Sequence, residues 1–122
     1  MVKFAEMDAT VSLASQLADE GGPVVLINTF TVPPEDAEEL LEAWTNDAAV
    51  MKRQPGFIST QLHRGIAGSG TFLNYAVWQS TAHFRTAFNN PEFQAQLGAY
   101  PASATASPHL FRKVEVRGIC VA

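Results

Sequence analysis

Hydrophobic and polar positions change their period several times along the chain, and each change marks an element. From Val24 to Val32 the residues are β-branched or aromatic and apolar at both parities, as in a central strand covered on two sides. Pro33-Pro34 stops it. Ala37, Leu40, Leu41, Trp44, Ala48 and Met51 then keep helical spacing, which predicts a helix over 34–53. Glu35, Asp36, Glu38 and Glu39 load its first turn with the charge that a helix N-terminus favours. Gln54-Pro55-Gly56 breaks the helix. Between Phe57 and Arg64, Ile58, Thr60 and Leu62 alternate with Ser59, Gln61 and His63, the pattern of a half-buried strand. Gly65 to Gly70 reads as a turn and Thr71 to Gln79 as the next strand.

Ser80 caps a helix with Phe84, Ala87 and Phe88 on one side. Asn90-Pro91 opens a further helical segment carrying Phe93, Leu97 and Tyr100, with Asn as cap and Pro at the first position. The small residues from Gly98 to Pro108 predict a long loop, either a lid over a pocket mouth or a flat surface connection. His109 to Arg117 reads as the last strand. Residues 1–22 stand apart from this pattern. Val11, Leu13, Ala14, Leu17 and Ala18 predict one short amphipathic helix ended by Gly21-Gly22, in an extension laid on the domain or on a partner subunit and in part disordered. The domain proper is expected to span 23–122.

The order β-α-β-β-α-β is the ferredoxin-like, split βαβ arrangement of an α+β fold. Its antiparallel sheet places the first and third strands at the centre, the second and fourth at the edges, and the helices on one face. The first strand is apolar on both sides, so the other sheet face needs cover. A two-fold homodimer burying sheet against sheet is the simplest solution.

Composition narrows the class. The 122 residues suit one domain, and 47% are hydrophobic against 16% charged, so neither a disordered chain nor a coiled coil fits. Eight Lys+Arg against twelve Asp+Glu give a net charge of −4, the reverse of what a nucleic-acid binder needs. No apolar run approaches the roughly 18–20 residues of a membrane span. The acidic start Met-Val-Lys-Phe-Ala-Glu-Met-Asp does not read as a signal peptide, and the single cysteine, Cys120, cannot form an internal disulfide. A cytoplasmic protein is expected.

Candidate chemistry centres on the two central strands. Period two puts Phe72, Asn74, Ala76 and Trp78 on one face of the third strand, and Asn28 on the same face as Val24, Leu26 and Phe30 of the first. As antiparallel neighbours, these strands bring Asn28, Asn74 and Trp78 together in an apolar surround. Two amides and an indole N–H there suit an aromatic ligand and a developing oxyanion. Read singly, each is better taken as a satisfied structural group or core aromatic, and only the three together weigh function evenly against structure. Phe30, Phe72, Phe84 and Phe88, with His63, are the candidate substrate-contacting residues.

The run Val24 to Val32, the helix ending Lys52-Arg53-Gln54-Pro55-Gly56-Phe57, and Asn74-Tyr75-Ala76-Val77-Trp78-Gln79-Ser80 followed by Phe84 resemble the antibiotic biosynthesis monooxygenase family over roughly residues 23–115. The resemblance implies a dimeric α+β barrel with one pocket per subunit. Well-understood members oxidise tricyclic anthrones to quinones with O₂ and neither metal nor flavin. It also implies that Asn28, Asn74 and Trp78 lie in the pocket as the catalytic residues. His63 and Arg85 are loosely comparable with a His and an Arg implicated in some members. The expected function is therefore a cofactor-independent monooxygenase acting on a phenolic polycyclic or quinol substrate. Related haem-degrading enzymes share the fold and ligate iron through a His, for which the helix after Trp78 offers only His83. A non-catalytic ligand-binding dimer is a third reading, because the fold hosts several functions.

Other signals carry less. His63, His83 and His109 show no metal-ligand spacing. Gly65-x-x-Gly68-Ser69-Gly70 joins two strands, whereas a phosphate cradle runs from strand into helix. No Gly-x-Ser-x-Gly surrounds Ser69, and Cys120 has no evident activating partner.

Overall fold

A computed structural model describes all residues 1–122. Five strands, β1 (Lys3–Phe4), β2 (Val24–Thr31), β3 (Phe57–Arg64), β4 (Thr71–Trp78) and β5 (Thr105–Phe111), form one sheet in the order β1-β5-β2-β4-β3. Helices α1 (Leu13–Leu17), α2 (Ala37–Lys52), α3 (Thr81–Phe88) and α4 (Pro91–Gln96) complete an α+β fold of ferredoxin-like type. β2 and β4 are central, as the β-α-β-β-α-β order predicts, and β3 is an edge. The sheet is mixed rather than wholly antiparallel, because β1 pairs parallel to β5 and covers what would have been the second edge. No helix is long and apolar enough to cross a membrane.

Local chemistry accounts for the boundaries. Pro34 opens a 3-10 turn that runs into α2, whose first turn carries Glu38 and Glu39 and whose last carries Lys52. Gly56 follows with φ +86°, and a Cβ there would run into the ring of His83. The Ser80 hydroxyl accepts from His83 N–H at 3.1 Å, and the Asn90 side chain accepts from Glu92 N–H at 2.8 Å, so both predicted caps form.

Three stretches depart from the sequence pattern. A β-bulge between Phe57 and Ser59 leaves Ile58 unpaired and exposed, and turns Phe57 inward beside Trp78. The alternation Ile58-Thr60-Leu62 therefore holds only from Thr60 on. The last strand is Thr105–Phe111 and not 109–117; the segment read as a lid or loop is strand from 105 onward, with Ala104 and Ala106 fully buried. Pro108 is tolerated there because its missing N–H falls on the side away from β2. Its neighbours of like parity turn outward, Ala106 C=O to Ala5 N–H at 2.9 Å and Leu110 N–H to Gln16 Oε1 at 2.9 Å. Residues 112–122 are exposed, with one isolated bridge between Val116 and Cys120.

Residues 1–22 lie along the β5 edge. Gln16 continues that edge past β1, donating to Leu110 C=O at 3.0 Å while accepting from its N–H. Arg85 ties the end of α1 down by donating to Leu17 C=O at 2.7 Å, and Val2 and Leu13 join the core.

Candidate active site

The inner sheet face and the helices enclose a cavity of about 50 Å³, bordered mostly by apolar and aromatic side chains. Asn28 and Asn74 are direct cross-strand partners in the β2–β4 ladder, and Val24 pairs with Trp78 on the same face. All three border the cavity, as do Phe30, Phe84 and Phe88. Phe72 shares the inner face and pairs with Phe30, but it does not reach the cavity. It is buried at the hairpin end of the sheet, with the Arg64 guanidinium 5.1 Å from its ring centre. His63 falls on the opposite sheet face, exposed, its Nδ1 3.3 Å from Leu73 O. Its parity along β3 carries it away from Thr60 and Leu62.

The polar groups are not equally engaged. Asn74 Oδ1 accepts from the Thr60 hydroxyl at 2.5 Å, which leaves the Asn74 NH₂ group as a donor. Asn28 Oδ1 and Trp78 Nε1 are buried and have no hydrogen-bond partner. Orphaned atoms of this kind cost a fold on the order of 1–3 kcal/mol each. An aromatic wall holds the indole in place. Phe57 meets Trp78 edge-on at 5.5 Å, Phe84 meets it at 5.6 Å with the planes 66° apart, and Phe88 and Phe93 continue the row.

Three contributors had no place in the sequence reading. Thr60 fixes the Asn74 amide. Phe4 of β1 is the one exposed side chain among those lining the cavity and so marks its mouth. On the helix wall, Asp47 Oδ2 accepts from the Tyr100 hydroxyl at 2.6 Å. Burial pushes the Asp47 carboxyl up from 3.8 to about 6, against the smaller opposing effect of that hydrogen bond. Burial and the neighbouring carboxylate push the Tyr100 phenol far above its ordinary value, so it remains a donor. A signal for Asp47 existed. It stands seven residues after Leu40 and three after Trp44, inside the apolar stripe of α2.

No His or Cys lines the cavity, so it offers no imidazole or thiolate to a haem iron. His83 turns instead toward Ser80, its Nδ1 2.6 Å from the hydroxyl, in a separate groove bordered by Gln54 and Pro55. No three His, Cys, Asp or Glu side chains cluster as a metal site would require.

A family model for antibiotic biosynthesis monooxygenases matches residues 23–97. The chain belongs to that family. Among curated relatives, it is similar to the deoxynogalonate monooxygenase of Streptomyces nogalater, 35% identical over 94 residues, covering 77% of this chain and 76% of the relative. It is also similar to a mycobilin-producing heme oxygenase of Mycobacterium tuberculosis, 32% identical over 87 residues, covering 70% and 83% respectively. A solved cofactor-independent oxygenase from Streptomyces nogalater superposes with a TM-score of 0.68 at 31% identity, covering 83% of this chain and 99% of that one. The family match begins where β2 begins, so β1 and α1 lie outside it.

Proposed function

We propose that this chain is a cofactor-independent monooxygenase that oxidises a phenolic polycycle, of anthrone or quinol type, to a quinone with O₂. The observation that carries this reading is the pair of orphaned atoms in an aromatic cavity. Asn28 Oδ1 needs a donor and Trp78 Nε1 needs an acceptor. A flat aromatic ligand bearing a hydroxyl and an oxygen that gains negative charge meets both. The family and the named activities of its relatives support the same class.

The chemistry needs little from the protein. Once deprotonated, such a substrate is electron-rich enough to pass one electron to O₂. Recombination at the ring carbon gives a hydroperoxide, and loss of water gives the quinone. Trp78 N–H and the Asn74 amide stabilise the charge on oxygen as it develops; one such donor in a dry site is worth about 3 kcal/mol. The aromatic wall excludes water, and the cavity as it stands holds O₂ or a few waters, each needing roughly 10–15 Å³. A tricycle enters by parting the rings at the mouth, where Phe4 is exposed and Trp44 and Phe88 are half-buried.

A second element of the proposal is a two-fold homodimer through the outer sheet face, where Tyr75 and Phe111 are exposed beside half-buried Val25, Ile27 and Val77. A haem-degrading reading finds no axial nitrogen in the cavity. The test is O₂ uptake by metal-stripped protein with dithranol, a tricyclic anthrone, with spontaneous oxidation subtracted. Uptake by wild type that is lost in the Asn74→Ala/Trp78→Phe double variant is expected. Wild type that does no better than buffer overturns the reading.

A further inference from the structure

One step of that chemistry has no agent among Asn28, Asn74 and Trp78, none of which can accept a proton at neutral pH. The substrate must lose a proton before O₂ can take an electron. Asp47 is the only carboxylate lining the cavity, and no Lys, Arg or His lines it. It stands on α2, in the wall that faces the β2–β4 asparagine pair. Its two oxygens differ. Oδ2 is held by the Tyr100 hydroxyl at 2.6 Å, while Oδ1 makes no hydrogen bond. Tyr100 is itself fixed, its ring stacked on Phe30 at 5.6 Å with the planes 8° apart. The carboxylate is therefore oriented through one oxygen and left with a free lone pair on the other.

We propose that Asp47 is the general base of this site, its Oδ1 taking the acidic C–H or O–H proton of a phenolic polycycle bound between α2 and the sheet. The assignment rests on the monooxygenase reading. In the first step the substrate's C–H or O–H bond breaks, its electron pair stays on the ring system, and the proton forms an O–H bond at Oδ1. After O₂ adds, Asp47 returns that proton to the peroxide oxygen. It then takes the remaining C–H proton as the O–O bond breaks and hydroxide leaves. That proton and the hydroxide make the water released, so CH₂ and O₂ become C=O and H₂O and the carboxylate is regenerated.

The surroundings suit the task. Tyr100 is the only titratable or charged group that faces Asp47. On the elements packed against α2, Glu92 of α4 is engaged with Arg53 at the surface, and Arg64 and His63 of β3 are exposed and bonded to Ser69 O and Leu73 O. No cation neutralises the carboxylate. Burial raises its basicity to about 6, close to where a base at neutral pH is both ionised and strong.

The test separates proton transfer from oxygen chemistry. Dithranol mixed with the protein without O₂ reports its anion by absorbance, and the same samples with O₂ report turnover. Wild type at pH 7 is expected to form the anion, and Asp47→Asn at least about tenfold less. In air, kcat/KM of wild type should rise with pH to a plateau, with an inflection near 6. Asp47→Asn should lose about 100-fold or more, without that inflection, and recover as pH passes the substrate's own ionisation. Tyr100→Phe removes a hydrogen bond that lowers Asp47, so its inflection should move up; it also carries the test should Asp47→Asn fail to fold. Anion formation and O₂ uptake undiminished in Asp47→Asn overturn the base and leave the monooxygenase reading standing. Wild type that ionises dithranol without consuming O₂ supports the base and overturns the oxygenase. Wild type that does neither overturns both.

Discussion

The two faces of the central strands are built from the same residues in alternation and have opposite fates. Inward, Leu26, Phe30, Phe72, Ala76 and Trp78 are buried under α2 and α3. Outward, Val25, Ile27, Leu73 and Val77 remain half-buried, with Tyr75 and Phe111 exposed. The inner face has spent its apolar area on the core and still tolerates two orphaned polar atoms and a carboxylate raised to about 6. The outer face also holds one orphaned atom, His109 Nδ1, at its β5 side, but what sets it apart is hydrophobic surface left without cover. Polar strain marks where a ligand belongs; uncovered apolar surface marks where a partner belongs. The inner face thus lacks chiefly polar partners, and the outer face chiefly cover.

Matched substitutions on the two faces break the comparison most sharply. Phe84 is fully buried and touches both Trp78 and Phe88. Phe84→Ala should cost about 3–5 kcal/mol in urea unfolding. Tyr75→Glu on the outer face should leave the unfolding of the isolated subunit within about 0.5 kcal/mol. It should instead move the protein from dimer to monomer in sedimentation velocity. A large stability loss at Tyr75 with no change in mass would mean that the outer face is not an interface.

Asp47 gives the next largest effect, and it depends on pH. Its folded value of about 6 lies above the ordinary 3.8, so the folded state binds the proton more tightly than the unfolded one. The stability this gives protonated Asp47 is fully present below pH 3.8 and is lost as pH rises through 6. The loss amounts to about 3 kcal/mol from the size of the shift. Asp47→Asn should therefore match wild type in stability near pH 4 and exceed it by up to that amount at pH 8. A stability gap that does not change with pH would return Asp47 to an ordinary solvated carboxylate.

Much of this inner face was legible in the sequence. Period two put Asn28, Asn74 and Trp78 on common faces, and the β-α-β-β-α-β order made their strands neighbours. The caps at Ser80 and Asn90 were readable because their side chains act locally. What escaped depends on partners distant in sequence. β1 is two residues long and has no period to read. The start of β5 is disguised by small residues, because Ala106 pairs opposite Phe30 and a large side chain there would meet that ring. Ile58 misled because one bulged residue reverses parity before Ser59, whereas His63 keeps the parity opposite Thr60 and Leu62 that the alternation itself gives it. Tyr100, some fifty positions from Asp47, is joined to it only by the folded chain.

The smallest effect is the most diagnostic of why the orphaned atoms persist. Asn28 Oδ1 has no partner, although Asn28 sits mid-strand between Asn74 and Pro108 with Leu26 and Phe30 on the same face. Replacing a buried, unsatisfied amide by an apolar group of similar shape removes its desolvation penalty without leaving a new partner unpaired. Asn28→Leu should thus stabilise the fold, by about 1 kcal/mol in urea unfolding, while abolishing dithranol turnover. The sign is the informative part. Stabilisation with loss of activity means that the cavity retains a destabilising amide for its ligand. Destabilisation would mean that Asn28 is held by the fold itself, through a water or a neighbouring group, and its place in the cavity would then need no ligand to explain it.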